Sequence, residues 1–60
     1  MTGKNLVKLL EENGWILDRI EGSQQIMVKD GKRPVPVPVH RNNDLPKWLV
    51  EKIKKEAGLK

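Results

Sequence analysis

Sixty residues with 12 Lys+Arg, 8 Asp+Glu, one His and no Cys carry a formal net charge of +4 and a pI of about 9.7. A chain this short buries only about 60% of the surface its unfolded form exposes, so residues 1–60 make one domain with a thin core and little room for a deep pocket. Disulfides and thiolate zinc sites are excluded, a single histidine leaves only carboxylates for any metal, and the cationic excess favours a polyanion or an acidic protein partner, unless the lysines serve solubility alone. There is no apolar signal segment and no run of about 18 apolar residues, so a soluble, cytoplasmic protein without membrane contact is expected.

Thr2 is a suitable N-cap for a first helix from about Gly3 to Asn13, with Leu6, Leu9 and Leu10 on one face and Asn13-Gly14 closing it in the left-handed conformation. Trp15 opens a strand whose simple alternation would put Trp15, Leu17 and Arg19 on one side and Ile16, Asp18 and Ile20 on the other. Glu21-Gly22-Ser23 marks a turn, Gln24 to Lys29 a second strand, and Asp30-Gly31 a tight hairpin into the third.

That third strand is Pro34-Val35-Pro36-Val37-Pro38-Val39, ending on His40. Alternation puts the valines on one face with their N–H groups toward a neighbour, and the N–H-less prolines along the free side, which only an edge strand tolerates. Asp44-Leu45-Pro46 then offers a cap and a proline near the first turn of a second helix. Leu49, Val50, Ile53 and Ala57 mark its apolar face, Gly58 its end and Leu59 the hydrophobic contact beyond it. The expected fold is α+β: two layers in the order α-β-β-β-α, a three-stranded antiparallel sheet with both helices on one face.

Leu6-Val7-Lys8-Leu9-Leu10, Asn13-Gly14-Trp15, Gly22-Ser23, Val37-Pro38-Val39-His40, Asp44-Leu45-Pro46 and Ala57-Gly58-Leu59, in this order and spacing, resemble the HicA family over nearly the whole chain. The resemblance implies a double-stranded-RNA-binding-domain-like fold, a toxin of a type II toxin-antitoxin system, metal-independent endoribonuclease (mRNA interferase) activity without a cofactor, and two partners, mRNA and a HicB-like antitoxin. It also implies a catalytic histidine just after the Gly-Ser turn, where this chain has Gln24 and Gln25. A histidine with a pKa of about 6.5 exchanges protons at neutral pH and typically contributes about 10²-fold to 10⁴-fold. An amide does not.

Gln24 therefore marks either a natural degenerate member, a deliberate inactivation, or a site whose chemistry has passed to His40. The candidate catalytic set is Gln24, with His40 in support and Ser23 shaping the turn. The alternative for His40 is an ordinary loop residue. Lys29, Lys32 and Arg33 around the second hairpin, with Arg41 and Lys47 flanking the His40 loop, are candidate phosphate contacts, the alternative being a solvated hairpin tip. Lys52, Lys54 and Lys55 read as complements to the helix dipole. Trp15 reads as core; Trp48, where the family tends to have Gly-Thr, is open to base stacking. A noncatalytic RNA-binding or antitoxin-binding module, or a purely protein-interaction domain, remains the competing class.

Overall fold

A computed structural model describes residues 1–40 and 43–59. The first helix, α1 (Gly3–Glu12), begins where the Thr2 hydroxyl accepts the Asn5 N–H at 3.1 Å. It ends in a paired closure: Gly14, at φ 92°, donates to the Glu11 carbonyl at 3.2 Å, and Trp15 donates to the Leu10 carbonyl at 3.0 Å. This reversal returns Trp15 to the helix's apolar face, where it is 2% exposed in one cluster with Leu6, Val7 and Leu10. The core assignment of Trp15 holds.

The sheet runs β1 (Ile16–Glu21), β2 (Gln24–Val28) and β3 (Val35–Pro38), antiparallel in the order β1-β2-β3. Val35 and Val37 are buried beside Met27, while Pro36 is exposed, so the proline/valine strand lies on the edge with its valines inward as the alternation requires. The second helix, α2 (Lys47–Glu56), adds Ile53 and Ala57 to the same cluster. Gly58, at φ 76°, and Leu59 close it by donating to the Lys55 and Lys54 carbonyls, and Leu59 packs on the core as expected. Both helices thus share the sheet face that carries Met27, Val35 and Val37.

Three local expectations change. In β1 the register shifts between Leu17 and Arg19, leaving Asp18 without a partner; this bulge breaks the alternation, so Leu17 opposes Met27 but Arg19 opposes Ile26. At Asp30-Gly31 the turn closes from Lys32 N–H to the Lys29 carbonyl at 3.0 Å, yet pairing resumes only at Val35, because Pro34 has no N–H to give to a ladder. The second helix is preceded by Pro46 without a side-chain cap; Asp44 instead bridges to Thr2, and Leu45 N–H donates to the Met1 carbonyl at 2.8 Å.

Candidate functional site

Gln24 is the first residue of β2, directly after the two-residue turn Gly22-Ser23, with Gly22 at φ 60°. It pairs with Glu21 on one side and Pro38 on the other. Beyond the formal end of β3, Val39 N–H donates to the Ser23 carbonyl at 2.7 Å. This tie holds the residue before His40 against the turn, so Ser23, Gln24 and His40 come to one end of the sheet. His40 is exposed, and its carbonyl accepts the Asn43 N–H at 3.0 Å. The Leu45–Met1 and Thr2–Asp44 links then fasten the far side of the loop to the start of α1.

A groove runs beside β3. Gln24, Pro36 and Pro38 form its sheet wall, and Leu49, Lys52, Ile53 and Glu56 of α2 its helix wall. Their spacing puts Leu49, Lys52, Ile53 and Glu56 on one helical face, at i, i+3, i+4 and i+7. Ile53 is buried and anchors that face to the core, while Lys52 and Glu56 stay exposed along it. The groove therefore offers an amide, an ammonium and a carboxylate over an apolar base. The side-chain amide can donate and accept hydrogen bonds but cannot take a proton from a hydroxyl at neutral pH. Among the described residues, no cluster of His, Cys, Asp and Glu could hold a metal ion.

The candidate cations separate. Lys29 follows β2 at the end away from Gln24, and its ammonium donates to the Asn13 carbonyl at 2.8 Å, where it complements the C-terminal end of α1. It is a structural strap rather than a neighbour of Gln24. Lys32 and Arg33 are exposed in the loop between β2 and β3 and border a notch that Glu56 shares with the groove. Lys47 is exposed at the first position of α2, and Arg41 lies outside the described residues. The residues that sequence reasoning missed are Lys52 and Glu56. Their helical spacing with Leu49 and Ile53 was visible, but nothing local says that this face lies along β3.

The family model described as the HicA toxin of bacterial toxin-antitoxin matches residues 3–59. Among solved structures, a chain of a toxin-antitoxin complex from Streptococcus pneumoniae is 42% identical, superposes with a TM-score of 0.87, and is matched over 98% of each chain. No curated protein sequence matches.

Proposed function

The chain belongs to the HicA toxin family, and from that premise we propose that it acts on mRNA in the cytoplasm and is neutralised by a HicB-like antitoxin. The observation that carries this reading is the position of Gln24, at the head of β2, at the same end of the sheet as His40 and on the wall of an open groove. A groove of this kind admits a chain rather than enclosing a small molecule. The net charge of +4 supports a polyanionic ligand.

A histidine at position 24 would accept the proton of a ribose 2'-hydroxyl. The freed oxygen would attack the adjacent phosphorus, the bond to the 5'-oxygen would break, and the departing oxygen would take a proton, leaving a cyclic phosphate. No metal is needed for that sequence. Gln24 can hold RNA by hydrogen bonds but cannot accept the proton, so this chain binds RNA and cleaves it poorly.

Purified protein and its Gln24→His variant incubated with mRNA test the reading. Both should bind, and the variant should cleave at least about 10²-fold faster. Binding without cleavage by either protein would favour the noncatalytic RNA-binding module. Absence of RNA binding by both would overturn the reading.

A further inference from the structure

Trp48 is 66% exposed, while the other tryptophan, Trp15, is buried. It is the largest exposed apolar side chain on α2, and it does nothing for the core. Four residues later comes Lys52, which lines the groove that holds Gln24. On a helix this spacing makes the two side chains surface neighbours, with Cβ atoms about 5–6 Å apart. Lys55 continues the same stripe at i+7 and Lys47 adjoins Trp48 in sequence; Glu51 is the carboxylate among them, and all four are exposed.

An indole with the groove-lining Lys52 ammonium as its i+4 neighbour, and the Glu51 carboxylate at i+3, presents two different surfaces to a ligand. The ammonium takes a phosphate and the indole face takes a flat, unsaturated ring. A single-stranded nucleic acid carries both groups at each step of its chain. A duplex carries the same phosphates but keeps its base faces stacked away. A protein partner would gain from the indole, but it does not carry a flat ring and an anion at each step of its chain; Glu56, on the same groove wall as Lys52, opposes any anion there equally and does not decide between the two.

We infer that Trp48 and Lys52 form a single-strand reading step: Lys52 binds a backbone phosphate in the Gln24 groove and Trp48 stacks on a neighbouring unpaired base. This rests on the RNA reading above and adds a preference to it. The step selects unpaired RNA and sets which side of Gln24 the strand occupies. It contributes to binding whether or not position 24 can cleave.

The test is titration of the intact protein with a fluorescently labelled single-stranded RNA and with the same sequence as a duplex. Labelled-RNA anisotropy reads binding, and intrinsic tryptophan emission reads the indole. Because Trp15 is buried, quenching on binding reports Trp48. Expected are quenching by the single strand, weaker binding of the duplex, about tenfold weaker single-strand binding in Trp48→Ala, and a salt dependence shallower by about one unit in Lys52→Gln. Lys8→Gln, on the exposed side of α1, is the matched charge control, and circular dichroism checks that each variant stays folded.

Anisotropy that shows tight single-strand binding without quenching, or with Trp48→Ala and Lys52→Gln no weaker than Lys8→Gln, overturns this step and leaves the RNA reading standing. If Trp48→Ala changes only capture of the antitoxin, the indole belongs to the protein interface and the inference also falls. No anisotropy change with any RNA overturns the RNA reading itself.

Discussion

At one edge of the sheet, β3 presents Pro36 and Pro38, which have no N–H to offer, with α2 alongside and the first residue of α1 pressed against the Pro38 carbonyl. At the other edge, β1 has every residue exposed, including Ile16 and Ile20. Both edges must avoid recruiting a further strand, and they use different means. β3 removes the donors. β1 keeps them but interrupts their row with the bulge at Asp18, where Arg19 reaches both the Glu21 carboxylate and the Asp18 carboxylate, the latter at 2.7 Å. Those hydrogen bonds, Glu21 first and Asp18 second, raise the guanidinium above its ordinary pKa. The consequence is a division of labour: the proline edge is free to form a wall of the groove, and the bulged edge carries no part of it. Ile26 shows how the two meet, since it lies between Arg19 and Pro36 on the face away from the helices and is only 6% exposed.

The closed edge should be the more sensitive. A Cβ on Gly3 would come within 2.0 Å of the Pro38 carbonyl oxygen and 3.0 Å of the Val39 Cα, both backbone atoms that no rotamer can move. Gly3→Ala should therefore destabilise by about 3 kcal/mol in urea unfolding, as overpacking does. Helix propensity alone would stabilise by up to about 1 kcal/mol, so a stabilised variant would show that α1 does not rest on β3 this closely. Next comes paired truncation. Val37→Ala removes a fully buried side chain and should cost about 2 kcal/mol, whereas Ile20→Ala on β1 should stay within about 0.5 kcal/mol. Equal losses would erase the distinction between the edges.

The closed edge was also the legible one. Proline fixes its own φ and lacks a donor, so the Pro/Val alternation announces an edge strand with inward valines before any partner is known. Thr2, Gly14 and Gly58 announced helix ends for the same reason: their requirements are local. β1 resisted because a bulge is decided by how two strands pair, and Ile16-Leu17-Asp18-Arg19-Ile20 reads as ordinary alternation until Met27 and Ile26 stand opposite. Asp44 resisted because its competing partner, Thr2, is distant in sequence. Within the site, the gathering of Ser23, Gln24 and His40 follows from hairpin connectivity and was readable. The presence of Lys52 and Glu56 on the groove wall was not, since it depends on where a helix settles across the sheet. The Lys29–Asn13 contact was not readable either, since only the fold brings the Asn13 carbonyl within reach of that ammonium.

The smallest expected effect separates the two guards. Deleting Asp18 should restore uniform alternation along β1 and turn Ile16, Leu17 and Ile20 into a flat, donor-bearing edge. Pro36→Val restores one N–H on β3, but Pro38 still interrupts the row and α2 still flanks it. Sedimentation velocity across a concentration series should then show clear self-association of the Asp18 deletion above the parent protein, and only a slight shift for Pro36→Val at the highest concentrations. The reverse order would mean that the prolines, rather than the bulge, are what keeps the sheet from growing. If neither variant differs from the parent, the charges on Asp18, Arg19 and Glu21 and the covering helix are already sufficient, and the missing donors serve the shape of the groove wall instead.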